Sequence, residues 1–186
     1  MNRCEFVKLG TGGLVALVAA ARAAKSEDVP AGPAKAVDAE KLVGNAHKHF
    51  IPGKLTCSEA LVLAGTEASG VKGDMLAEAA LGLCGGVGFQ GRVCGAITGA
   101  AMVISLAVAA KEKDYKKRKL QTATSVGRLC QAFEKEAGSA DCRKITGLDL
   151  TTPEGRKALE ERVKEEKCSG CVKLAARLLA EELKKT

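Results

Sequence analysis

Eight cysteines are the residues of this chain best equipped for chemistry. A thiol becomes a nucleophile or a metal ligand only as thiolate, and local structure sets how readily the proton leaves. Cys57, Cys94, Cys142, Cys168 and Cys171 all fall where the sequence predicts a helix to begin. Unpaired N–H groups and the helix dipole favour thiolate there, so lowered thiol pKa values are expected at these positions. Cys168 and Cys171 form a C-x-x-C, the spacing of redox dithiols and of metal half-sites. Cys130 sits mid-helix on an apolar face and reads as a small hydrophobe, and Cys84, closing a helix before glycines, reads as structural rather than as a ligand. Val172 follows the C-x-x-C, so the c-type haem attachment motif C-x-x-C-H is absent. The chain has no second C-x-x-C for a zinc ribbon and no C-x₂-C-x₂-C ferredoxin run. Any metal centre must draw its ligands from distant parts of the chain.

The stretch "CGGVGFQGRVCGAITG" (Cys84 to Gly99) also spells G-x-G-x-x-G through Gly86, Gly88 and Gly91. A dinucleotide site needs a strand before that loop and an acid at the end of the next strand, about 20 residues on. The preceding "MLAEAALGL" is helical by composition, and the segment at the right distance, "EKD" (Glu112 to Asp114), lies on a basic helical stretch and not on a strand. The glycines are better read as a sharp backbone turn that delivers Cys94 to the first turn of the next helix. His47 and His49 lie two residues apart, a poor chelating spacing on a helix, and read as surface or cap residues.

The elements that position these residues are helices. With 3% aromatic residues and no Trp, the core must be built from Ala, Leu and Val, which favours closely packed helices. Asp38 caps "AEKLVGNAHKHF"; Thr56 caps "CSEALVLAGTEAS", which Gly70 stops; "GDMLAEAALGL" starts at Asp74. The uncharged run from Cys94 to Ala110 is short for a membrane span and interrupted by glycines, and so predicts a buried central helix. "KKRKLQTATSVGRLCQAFEKEA" predicts a long helix with Leu120, Val126, Leu129, Cys130 and Phe133 on its apolar face, ended by Gly138. "CRKITGLDL" predicts a short turn, Pro153 the first turn of "EGRKALEERVKEE", and Ser169 or Gly170 the start of a last helix bearing Leu174, Leu178 and Leu179. No stretch alternates as a strand does. The expectation is an all-α bundle of about six to seven helices, with a Gly-rich loop before a central apolar helix.

The chain reads as one domain, residues 38–186, behind a signal peptide at 1–23 and a Pro- and Gly-containing linker at 24–37. Arg3 and Lys8 precede an apolar run, and Ala21-Arg22-Ala23 offers a cleavage site. "RCEFVK" is similar to a twin-arginine export motif with Cys4 in place of the second Arg. The expected location is therefore periplasmic; an uncleaved signal would instead anchor the protein to the membrane. Net charge is +7. The basic stretch "KEKDYKKRK" (Lys111 to Lys119) has Tyr115 as its only aromatic, so a solvated helix junction is expected and no nucleic-acid partner.

"CGAITG" (Cys94 to Gly99) resembles the Cys-Gly-Ala-x-x-Gly motif of the redox-active protein family named for its C, GCAxxG, C and C pattern. "TCSEALVLA" at Cys57 resembles that family's first cysteine helix, "CRKITGLDL" its third block and "KCSGCVKLA" its fourth, so the resemblance spans about residues 40–183. It implies redox chemistry carried by Cys57, Cys94, Cys142 and Cys168. Cys171 departs from the pattern and makes the last cysteine one of two. A related domain in split-Soret-type cytochromes is associated with haem and an iron–sulfur centre, and the haem-binding part has no counterpart here. Three readings stand. The four family cysteines would bind an iron–sulfur cluster, or less readily zinc, for electron transfer to a redox partner protein. Cys168 and Cys171 would act as a catalytic dithiol. The cysteines would staple an exported helical domain. The sequence allows a homodimer and names no catalytic reaction.

Overall fold

The computed structural model describes residues 37–70 and 74–186. The candidate signal at 1–23 and all but the last residue of the linker lie outside the described residues. Among the described residues the fold is all-α, with no strand beyond an isolated bridge between Val93 and Asp141.

Local signals set most boundaries. Helix α1 (Ala39–Phe50) starts where the Asp38 side chain accepts from the Lys41 N–H. Helix α2 (Cys57–Ser69) starts at a capping box of Thr56 and Glu59 and ends at Gly70 in the left-handed conformation. Helix α3 (Asp74–Ala80) runs into a 3₁₀ turn (Leu81–Leu83). Helix α4 (Gly95–Lys111) is the expected central apolar helix and packs on α2, on α5 (Tyr115–Ala137) and on α8 (Ser169–Leu183). α1 closes the bundle against α2 and α8. Ala96, Ile97, Ala100, Val103 and Ile104 of α4 join Leu61, Leu129, Phe133 and Leu179 in one continuous core. Small residues let the helices approach closely. A Cβ added at Gly99 would stand 2.5 Å from the Ser58 carbonyl oxygen, which draws the N-terminal ends of α2 and α4 together. No described helix is long and apolar enough to cross a membrane.

Two expectations change. Leu120 is 70% exposed while Leu129 and Phe133 are buried. It lies nine residues before Leu129, which at 3.6 residues per turn puts it on the opposite side of α5. The last helix is also not a fresh start. After α6 (Cys142–Thr146), helix α7 (Pro153–Ala158) passes into a π-helical segment (Leu159–Cys168) and straight on into α8. The Ser169 N–H bonds the Lys164 carbonyl, and Cys168 has helical backbone angles. Cys168 and Cys171 therefore lie inside a continuous helix, where backbone N–H groups are already used.

Candidate functional site

Cys57 is the first residue of α2, Cys94 the N-cap of α4 and Cys142 the first residue of α6. For these three the expected helix-start positions hold. The loop between Cys84 and Cys94 supplies the convergence. Gly85, Gly86, Val87, Gly88 and Phe89 all have positive φ, between 57° and 71°. They form a left-handed turn that folds back on itself, with the Gly91 N–H bonding the Gly85 carbonyl (3.0 Å) and Arg92 bonding Gly86 (2.9 Å). The returning strand of this loop is then stitched to α6. The Cys94 N–H donates to the Ala140 carbonyl (2.8 Å), and Cys142 N–H to that of Arg92 (2.7 Å). Gly86 is required here, since a Cβ would stand 2.5 Å from the Arg92 nitrogen and 2.8 Å from the Cys142 Cβ.

The result is a cavity of about 100 Å³ lined by six thiols: Cys57, Cys84, Cys94, Cys142, Cys168 and Cys171. All four family cysteines meet there, together with both members of the C-x-x-C. Cys130 does not line it; it packs half-buried at the edge of the core. Cys84, read from the sequence as structural, stands on the cavity wall, where the loop that follows it begins. The glycine density before Cys94 was the signal for that closure. Phe50, Phe89 and Leu159 supply apolar walls, and Lys164 is a cation at the lining. The Lys164 side chain is 15% exposed, pairs with Glu160 at 3.2 Å and lies 5.2 Å over the Phe50 ring. Its place four residues before Cys168, one helical turn, is a signal that pattern reading of cysteines alone overlooks. His47 and His49 are away from the site; His49 bonds Glu67 across α1 and α2.

At Cys57, Cys142, Cys168 and Cys171 the electrostatics reverse the expected direction. The Cys57 thiol is held well above its ordinary pKa by its hydrogen bond to Cys94 and then by burial, and the Ser58 and Cys57 N–H groups of the helix start only partly oppose this. Burial, then the neighbouring Cys57 and Asp141, push Cys142 up to about 12. Burial, then Cys57 and Cys142, push Cys168 to about 12, with Lys164 pulling the other way. Cys84 and Cys171 are raised as well, burial first and Cys57 second. Burial leads and clustering adds to it: a thiolate formed in this small apolar space loses its water and repels the next. The seven described cysteines are all free thiols. Among the described residues no group of three His, Cys, Asp or Glu side chains is drawn in as a single metal ion requires.

A scan against protein-family models matches residues 55–182 to the family described as "Putative redox-active protein (C_GCAxxG_C_C)". The chain belongs to this family. The match covers more than half of its length and includes all six thiols of the cavity. No curated protein and no solved structure gives a significant match.

Proposed function

We propose that Cys57, Cys94, Cys142 and Cys168 hold an iron–sulfur cluster, or another thiolate-bound metal group, and that the protein carries electrons. The observation that supports this most is the convergence of four thiols, from four separate elements, on one small cavity. The donor set fits in kind, because soft thiolates suit iron–sulfur clusters, zinc and cuprous ions. A single zinc ion bonds sulfur at about 2.3 Å and needs its ligands drawn tightly together. A cluster instead places each thiolate on its own iron, and thiolates brought from four separate elements suit that arrangement in kind. When bound, such a group would take up and release single electrons.

The chain's own residues divide the remaining work. The thiols give up their protons on binding, since only thiolate ligates. Lys164 offsets part of the negative charge that gathers at Cys168. The Ser58 N–H favours the Cys57 thiolate and would do the same for a ligating one. Phe50, Phe89 and Leu159 keep water from the sulfurs. An exported, periplasmic location and a redox partner protein belong to the same proposal.

Thiol–disulfide exchange at Cys168 and Cys171 is the second reading, favoured by the presence of both on the cavity wall. Their mid-helix position removes the helix-start activation that reading wants, and leaves Lys164 as the cation favouring Cys168 thiolate. Purification without oxygen, a visible spectrum and assays for iron, zinc and acid-labile sulfide separate the readings. Iron and sulfide that are lost in Cys168→Ser and kept in Cys171→Ser support the cluster. A colourless, metal-free protein with its cysteines paired overturns it.

A further inference from the structure

A second, more open cleft lies beside the cysteine cavity, between the C-terminal end of α5, the turn at Gly138 and Ser139, α6 and the start of α8. Ile145 and Cys171 line both spaces. They are the wall between the protein surface and the thiols, and Cys171 is 9% exposed. The cleft carries Lys144 and Lys167, both exposed. Among the described residues neither pairs with a carboxylate; the Lys167 ammonium donates to the Thr146 carbonyl at 3.3 Å. The carboxylate at the rim, Glu136, is held by Arg177 at 2.6 Å. The wall that the thiol cavity shares with this cleft thus lies under two positive charges that no carboxylate among the described residues pairs.

We propose that this cleft is the electron port of the protein. It seats an acidic surface segment of a redox partner protein against Lys144 and Lys167, and single electrons cross the wall at Cys171. This rests on the redox reading of the thiol cavity. One electron leaves the reduced centre and the partner gains it; no bond forms at Cys171 and no proton moves there.

The test uses reduced, loaded protein and two small oxidants of opposite charge, ferricyanide and hexaammineruthenium(III). The expected result is that ferricyanide is favoured roughly tenfold at low salt over its rate with the Lys144→Glu/Lys167→Glu variant, with the ruthenium complex shifting the opposite way. Lys144→Gln/Lys167→Gln should fall between. Lys116→Glu/Lys117→Glu, at the other end of α5, should leave both rates unchanged. A readout independent of the bound group is alkylation of the stripped protein. The Cys171 thiolate displaces iodide from iodoacetate or iodoacetamide, and the ratio of anionic to neutral reagent at that residue should fall in the Glu variant. A Glu variant that leaves the mediator preference unchanged, while both mediators still oxidise the centre, overturns the port and spares the redox reading. If neither mediator oxidises the protein, the redox reading falls and the port falls with it.

Discussion

Cys142 and Cys168 hold their protons to about pH 12, against an ordinary value of 9.0. The unfolded chain loses those protons near pH 9 and the folded chain does not, so between the two the native state binds more protons. Stability is therefore fully present below pH 9 and falls as pH rises towards 12. Each thiol contributes at most about 1.4 kcal/mol per pH unit, so the two together should cost the reduced, metal-free protein on the order of 3 kcal/mol between pH 9 and 10.5. Urea unfolding at a series of pH values measures this, and Cys142→Ser/Cys168→Ser should show a shallower decline. Equal slopes would mean that the thiols are not buried in the neutral form. Two glycines give a sharper residue-level contrast. A Cβ at Gly95 would stand 2.5 Å from the Cys57 sulfur, whereas one at Gly127 meets nothing within 4 Å. Gly95→Ala should cost about 1–3 kcal/mol and lower metal content, and Gly127→Ala should raise stability by roughly 0.5–1 kcal/mol. Thermal unfolding with iron analysis reads both, and a Gly95→Ala protein with full metal content would contradict the packing of Cys57 against α4.

At the scale of elements, the left-handed turn from Gly85 to Phe89 is where the site stores strain. Val87 has φ of 61° and is 43% exposed, so its β-branched side chain sits in a region that costs roughly 1–2 kcal/mol and gains little burial. Val87→Gly should therefore stabilise the protein by about 1 kcal/mol or leave it unchanged, and Gly86→Ala should destabilise it by more than that, since its neighbours are backbone atoms. A fall in melting temperature for Val87→Gly would show that the valine side chain has a partner worth more than its strain. This element also marks how far sequence reading reaches. Asp38, Thr56 and Gly70 fix helix ends through local hydrogen bonds, so α1 and α2 were legible residue by residue. Pro153 and Gly138 set boundaries through backbone conformation, the fixed φ of proline at a first turn and the left-handed cap of glycine. The left-handed run was not legible, because Val and Phe carry no preference for it and the loop's return is fixed by hydrogen bonds between residues 91–94 and residues 140–143, about 50 residues on. The π-helical passage into α8 was hidden likewise. "KEEKCSG" reads as an end and a new start, and the lining of the cavity by Cys168 and Lys164 shows only in three dimensions. The same non-local closure explains Cys84, whose place at the cavity follows from where the loop returns.

On the scale of the whole molecule, the site lies at one edge of the core and shares Phe50, Cys94 and Cys171 with it. Helix starts, the end of α1, a loop, α6, the π-helical segment and α8 wall the thiol cavity. The main core is filled by Leu42, Leu61, Val103, Ile104, Leu129, Phe133 and Leu179, contributed by α1, α2, α4, α5 and α8. Small metal modules that lack such a core unfold without their ion, because binding energy is their folding energy. Here burial of apolar surface along α4 stabilises the fold without help from the cavity. Stripping the proposed metal group by chelation under reducing conditions should leave far-ultraviolet circular dichroism within roughly a tenth of its starting value and unfolding cooperative. The melting temperature should fall, because a group that binds only the native state adds stability through mass action. Hydrogen exchange should quicken chiefly at residues 84–94 and 142–150, whose backbone bonds join the loop to α6, while α4 and α8 stay protected. Loss of helical signal on stripping would mean that the thiols hold the bundle together, and would favour a structural role for them over electron transfer. Retained helix with localised exchange would mean that the bundle exists first and presents a pre-assembled set of thiols, as a centre that changes charge by one electron with little rearrangement requires.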